Sequence, residues 1–257
     1  MRYETRYLAF LDILGFSSFV RDEQNIKSVQ TLFSFASRFC HLYNNTPPLE
    51  AKASFFSDSI VIAASSLGTL FTAIGIAERA VRDNLGLLTR GGICKGSVLL
   101  ADGMLFGPAV ITAHDLESRA GYSRVLIDNS VTDELSIDEY LDFYTDVDGC
   151  VCLNPYAKCI HDKTEFGPEG HSYPTGDPSD AIVSIYASEG EILEESIRKY
   201  RGSSVVEKYL WRTRPFNYTC NSLANEPRLV PMLQDTEYVD DGSFAQRIRG
   251  CQIQNAF

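Results

Sequence analysis

The sequence predicts an α+β fold with a ferredoxin-like βαββαβ core. Three observations predict it. Apolar runs of strand length alternate with stretches of helical period in the order β-α-β-β-α-β, followed by a further helix and strand. Gly15, Asn44–Pro48, Ser57–Ser59 and Gly107-Pro108 fall between these runs as breaks. The 257 residues, 44% apolar and 22% charged, have the balance of a chain that can bury a core, which excludes wholesale disorder. A core of this order places helices against one face of an antiparallel sheet.

Each element has its own local reason. Residues 7–14, Tyr-Leu-Ala-Phe-Leu-Asp-Ile-Leu, read as a buried strand whose single charge is Asp12, and Gly15-Phe16-Ser17-Ser18 breaks it. Between 25 and 43, Ile26, Val29, Phe33, Ala36, Cys40 and Tyr43 recur at intervals of three and four, the stripe of an amphipathic helix. Asn44-Asn45-Thr46-Pro47-Pro48 stops it. Ala51 to Ala64 reads as two strands with Ser57-Asp58-Ser59 at the hairpin tip. A second helix covers 67–88, with Leu70, Ile74, Ala77, Val81, Leu85 and Leu88 on one face. A strand from Arg90 to Leu100 returns after Ala101-Asp102-Gly103 through Met104-Leu105-Phe106. Gly107-Pro108 opens a third helix that runs to Arg119, and Arg124–Ile127 forms a further strand. Residues 161–180 are a polar loop rich in Gly and Pro; 181–200 and 203–213 read as helices, and the tail beyond 225 has weak periodicity.

The formal net charge is −11, from 34 acidic and 23 basic residues. Coulomb repulsion then disfavours nucleic acid and anionic membranes as partners. An anionic small molecule stays acceptable where a metal ion supplies local positive charge. No apolar run approaches the length of a membrane helix, the start of the chain has no signal-peptide pattern, and the seven cysteines have no regular spacing. A reducing, cytoplasmic compartment with free thiols is expected. Cys150, Cys152, Cys159 and His161 lack the clip spacing of common zinc sites, so buried cysteines beside a strand are the expectation there.

Two aspartates stand where a charge is costly: Asp12 in the first strand and Asp58 in the hairpin segment. In this topology the first strand and the hairpin are neighbours, so the two carboxylates converge at one sheet end, where they repel unless a cation lies between them. Hard oxygen ligands favour Mg²⁺ or Mn²⁺. The alternative is that each aspartate caps a turn or pairs with a nearby Arg or Lys. The Gly15 turn that follows Asp12 leads from strand to helix, a place where backbone N–H groups favour phosphate oxygens.

Phe10-Leu-Asp12-Ile13-Leu-Gly15-Phe16-Ser17 resembles the F-x-D-I-x-G-F-[TS] signature of class III nucleotidyl cyclases. Phe56-Ser57-Asp58-Ser59, 46 residues on, falls where that family has a Gly-Asp hairpin with its second metal aspartate. Arg90-Gly-Gly-Ile93-Cys-Lys95-Gly96 resembles its R-x-G-I-x-x-G strand, and Phe106 to Glu117 resembles the helix segment after it. The resemblance implies a catalytic core over 1–128 and a family-specific extension over 129–257, packed on the core or continuous with it. It implies two Mn²⁺ or Mg²⁺ ions held by Asp12, the Ile13 backbone carbonyl and Asp58, with Gly15, Phe16, Ser17, Ser54 and Phe56 around the nucleotide. One ion helps deprotonate the ribose 3′-hydroxyl and the other holds the β- and γ-phosphates. Attack on the α-phosphate releases diphosphate and closes a 3′,5′-cyclic nucleotide. It also implies a homodimer with its sites at the interface.

The departures from the pattern narrow the substrate. Where purine cyclases have a base-reading Lys this chain has Ser54; where they have a base-reading Asp it has Met104; where they have an Asn and an Arg on the next helix it has Ile111 and Asp115. A site that loses those groups does not keep purine selectivity. The pattern resembles the pyrimidine cyclases of bacterial Pycsar antiphage systems (PycC), with support from Ala113–Ser118, Ser123–Asp128, Val206–Trp211 and Asn217. That resemblance implies UTP as substrate and cyclic UMP as product, with a separate effector activated by the cyclic nucleotide. Cytidylate cyclase, purine cyclase and a degenerate nucleotide-binding dimerisation module are the alternatives. Arg90, Lys95, Arg119 and Arg124 are the candidates to replace the missing arginine as charge stabilisers; for Arg90 and Lys95 the competing expectation is a salt bridge on the strand.

Overall fold

The computed structural model describes residues 2–47, 50–101, 104–134, 141–157, 178–225 and 243–254. Cys159, His161, Asp102, Gly103 and residues 161–177 of the loop expected at 161–180 lie outside the described residues, while residues 178–180, expected in that loop, already belong to a helix. The chain forms two units: Met1–Leu135 with Thr145–Cys152, and Ser136–Tyr144 with Leu153–Phe257.

In the first unit, β1 (Glu4–Ile13) is followed by the short helix α1 (Phe16–Val20), α2 (Ile26–Asn45), the hairpin β2 (Ala51–Phe56) and β3 (Ser59–Ala64), and α3 (Leu67–Leu85). Then come β4 (Thr89–Ala101), β5 (Met104–Phe106), α4 (Pro108–Ala120), β6 (Val125–Ile127) and α5 (Asn129–Thr132). The strand order β2-β3-β1-β4 is that of the ferredoxin-like core the sequence predicts, and β6 and β8 (Val151–Leu153) extend it. The sheet is mixed: β1 runs antiparallel to both neighbours, while β6 lies parallel to β4. A short strand β7 (Phe143–Thr145) precedes β8.

The helices differ from expectation in one respect. They cover both faces of the sheet. Phe55 and its neighbours in register, Ile60, Leu11 and Gly91, share the face on which α2 packs, with the rings of Phe35 and Phe39 at 6.3 and 5.8 Å from Phe55. Glu78 of α3 reaches the same face and accepts a 2.5 Å hydrogen bond from Thr89. Gly92 points to the opposite face, where a Cβ would lie 2.3 Å from Leu116 Cβ and 2.5 Å from the Ala113 carbonyl of α4. The helix therefore rests directly on the β4 backbone, an approach only glycine allows. A βαββα pattern shows that helices exist but not that the third crosses to the other side.

The local signals act as their physics requires. Ser66 caps α3 by accepting from Thr69 N–H, and Pro108 opens α4 at a position whose N–H has no helical acceptor. Leu8, Ala9, Leu11, Ile60, Ile62, Leu70, Ile74 and Ile93 are buried between sheet and helices.

The second unit is built on α6 (Pro178–Lys199), α7 (Val206–Asn225) and α8 (Ser243–Gly250). Its core holds Ile182, Tyr186, Phe216, Leu223, Phe244 and Ile248. Two of its buried polar side chains are paired: Tyr186 Oη donates to the Tyr156 carbonyl at 2.9 Å, and Asn154 Nδ2 donates to Thr219 Oγ1 at 2.8 Å. Asn217 clasps Ile253 from both sides, its Nδ2 donating to that carbonyl and its Oδ1 accepting that N–H, each at 2.9 Å. No helix among the described residues is long and apolar enough to cross a membrane.

Candidate active site

Phe56, Ser59, Asp12 and Arg90 stand opposite one another in a single row across β2, β3, β1 and β4. Directly paired residues share a face, so their side chains line up at one end of the sheet. The row behind it on that face is Ser54, Val61, Phe10 and Gly92. Phe10 meets His114 of α4 edge-on, with centroids 5.1 Å apart. α4 covers the β4 side, while Phe56 on the β2 side is 80% exposed.

Asp58 sits in the two-residue turn between β2 and β3. Its carbonyl accepts the Ile13 N–H at 2.8 Å, and the Leu14 N–H bonds the Leu88 carbonyl at 2.9 Å. The end of β1 is therefore tied on both sides, which fixes Asp12 beside the turn that carries Asp58. Ser57 turns the chain with φ 56°, a conformation L-residues seldom take. Gly15 follows at φ 83° and leads into α1. With five residues, that helix has little dipole to offer a phosphate, so the role expected of Gly15, Phe16 and Ser17 would rest on the backbone amides of the turn.

The electrostatics of the row are those of too little positive charge. Burial pushes the Asp12 carboxyl above its usual range; Arg90 opposes this, while the fields of Glu117 and Asp58 add to it. Arg90 Nε is 3.3 Å from Asp12 Oδ2 and 2.5 Å from Glu117 Oε1. The alternative of an arginine partner for Asp12 is thus realised in part. Two carboxylates share one guanidinium, and the field of Asp58 also reaches Asp12.

Of the four charges considered as stabilisers, the structure brings Arg90 to Asp12. Lys95 is five residues along β4 on the opposite face, 2.5 Å from Glu134 and 5.0 Å above the Tyr7 ring. Arg124 is buried, with Nη1 2.7 Å from Asp146, Nη2 2.7 Å from Asp148 and Nε donating to the Ala120 carbonyl. Its charge is spent on joining β6 to the turn before β8. Arg119 is exposed in the last turn of α4, with its field on Cys150. Phe55, next to Ser54 and Phe56, belongs to the α2 face and not to this row.

Glu117 is the residue whose place in the site sequence reasoning missed. The signal was present: it interrupts the buried stripe Ala109, Ala113, Leu116, Ala120 with a charge. A carboxylate on an apolar helix face needs a partner, and Arg90 is that partner.

The donor set suits a hard divalent cation. Asp12 and Asp58 would offer it carboxylate oxygens in a negative field. Among the described residues no group of three or more His, Cys, Asp or Glu is gathered to hold a metal, so an ion here needs ligands from substrate and water, the usual way Mg²⁺ is bound. Cys150 and Cys152 flank Val151 of β8 and are not joined in a disulfide.

No protein-family model matches the chain, and no curated protein does. Solved structures do. A bacterial light-regulated adenylyl cyclase is 18% identical with a TM-score of 0.38, the match covering 62% of this chain and 95% of that one. The catalytic core of a rhodopsin-guanylyl cyclase with converted specificity, in complex with ATPαS, is 14% identical with a TM-score of 0.42, over 60% and 96%. The adenylate/guanylate cyclase/hydrolase from Silicibacter pomeroyi is 16% identical with a TM-score of 0.37, over 58% and 95%. All three are nucleotidyl cyclases. At TM-scores under 0.5, what the site does is read from its own residues.

Proposed function

We propose that the chain is a nucleotidyl cyclase of class III type that converts UTP to 3′,5′-cyclic UMP and diphosphate. One observation carries the reading: the N–H of Ile13, next to Asp12, bonds the Asp58 carbonyl, so the two aspartates stand at one sheet end, where Phe56 in the row of Asp12 is open to solvent. Mn²⁺ or Mg²⁺, two ions per site, would supply charge neutralisation for the triphosphate and for the 3′-oxygen. Asp12 and Asp58, with the Ile13 carbonyl, hold that charge in place. The Gly15 turn presents amides to the phosphates, and Phe56 and Ser54 border the base. The 3′-oxygen forms the new bond to the α-phosphorus, the α–β bridging bond breaks, diphosphate leaves, and the hydroxyl proton passes to water.

Pyrimidine selectivity is supported by Ser54 and Met104, which stand where purine-reading groups would be and cannot bond a purine edge as Lys and Asp do. We propose a homodimer, supported by the exposed apolar side chains of Met104, Phe106 and Ile111 in the first unit. A cytoplasmic antiphage enzyme of the Pycsar kind, acting through a separate effector that its product activates, is the biological setting we propose. Incubation with each of four NTPs and Mn²⁺, with product identified by mass, tests substrate and reaction together. Cyclic UMP is expected; cyclic CMP, AMP or GMP as sole product overturns the assignment to UTP, and no cyclic product overturns the cyclase.

A further inference from the structure

Glu117 is 4% exposed, on a helix face otherwise lined by Ala and Leu. The close seating of α4 on Gly92 delivers it to the Asp12 row, since a Cβ on Gly92 would also lie 3.0 Å from Glu117 N. Its Oε2 accepts from Ser118 Oγ at 3.4 Å, while Oε1 faces Arg90 Nε. Among the described residues neither Arg90 Nε nor Glu117 Oε1 makes an aligned hydrogen bond, although they are 2.5 Å apart. Arg90 Nε carries one hydrogen and stands between two carboxylates, aligned with neither. A charge pair with its carboxylate buried and its guanidinium partly buried, held this way, is a poor device for stability, because a neutral apolar pair would pack there at lower desolvation cost.

We infer that Glu117 is a positioning residue for the site: it shares the Arg90 guanidinium with Asp12, and holds that guanidinium when a divalent cation takes the Asp12 carboxylate. This rests on the reading of Asp12 as a metal-binding residue. Without a metal, Arg90 neutralises Asp12 in part. With a metal, the arginine needs another anion within reach, or its displacement leaves a partly buried cation unpaired. Glu117 is that anion. Its removal commits Arg90 to Asp12 and makes the guanidinium a competitor of the metal.

The test is a double-variant cycle on the full chain, with Mn²⁺ titrated alone and the free ion followed by electron paramagnetic resonance. Glu117→Gln is expected to weaken Mn²⁺ binding by about tenfold, in the range seen when the partners of metal ligands are removed. In the Arg90→Gln background the same change is expected to cost less than about threefold, because the competitor is gone. Equal losses in both backgrounds mean a simple field effect and overturn the proposal, as does an unchanged affinity in Glu117→Gln. Glu117→Asp keeps the anion and is expected to bind Mn²⁺ more tightly than Glu117→Gln; failure of that rescue also counts against it. Should Glu117→Gln not fold, the neutral pair Arg90→Gln/Glu117→Gln still decides: binding within about twofold of wild type is expected, and a tenfold loss overturns the proposal. Product formation from UTP by the wild type reads the cyclase assignment separately. A chain that cyclises UTP but shows no coupling loses this inference alone, whereas a chain that binds no Mn²⁺ loses both.

Discussion

Ser57 carries the conformational cost of the turn that presents Asp58. A left-handed backbone costs an L-residue roughly 1–2 kcal/mol, and the extra freedom of an unfolded glycine costs roughly 0.5–1 kcal/mol. Ser57→Gly, with φ 56° to relieve, is expected to raise unfolding stability by about 0.5–1 kcal/mol in urea melts and to leave catalysis intact. A loss of stability would mean that the serine side chain contributes more than the turn costs. At this scale the candidate aspartates were legible in the sequence, because a lone carboxylate within an apolar strand, as Asp12, or between two of them, as Asp58, demands explanation. Arg90 was legible as a candidate but not as Asp12's neighbour, since pairing register is set by the whole sheet. Glu117 was hidden because its match to a helix motif gave it a place without a role.

Among the elements, α4 depends on Gly92. Gly92→Ala would drive a methyl into the Ala113 carbonyl and the Leu116 side chain, and is expected to cost about 1–3 kcal/mol in thermal or chemical unfolding. Because α4 also brings Glu117 to Arg90, activity should fall further than the fraction unfolded explains. The clip between β6 and the turn before β8 gives a pH signature. Chiefly through its hydrogen bond with Arg124, the Asp148 carboxyl is held down to about 2 from its usual 3.8. The unfolded chain therefore binds protons first, so this contribution is whole above about pH 4 and is lost as pH falls toward 2. Asp148→Asn is expected to flatten that part of the acid limb of a Tm–pH curve; an unchanged limb would show that the clip adds nothing. The long elements β1, α2, α3, β4 and α4 were legible because each is long enough to show its period, and the three-residue β5 and β6 were read from the turn residues beside them. The equally short hairpin of β7 and β8 was not, since three residues cannot display alternation and no turn signal was read there. The helix expected to end at 213 runs through Pro215 to Asn225 as α7, because Phe216, Cys220 and Leu223 bury a face that outweighs the lost backbone bond.

For the whole molecule, the proposed dimer predicts that Ile111→Glu, placing a charge on an exposed apolar position of α4, shifts the chain to monomer in light-scattering chromatography and lowers cyclase activity by at least about tenfold with Tm unchanged. A fully active monomer would refute it. The acidic balance of the chain, −11, is compatible with a triphosphate that arrives with its divalent ions, and in the proposed function that positive charge would lie at the row of Asp12. The most direct measurement is product analysis with UTP and Mn²⁺ for the wild type and for Asp58→Asn, with melting curves on the same samples. The account predicts cyclic UMP and diphosphate from the wild type and at least a hundredfold less, roughly 3 kcal/mol in the barrier, from a variant that melts normally. Undiminished product from folded Asp58→Asn, or no cyclic nucleotide from the wild type, would contradict it.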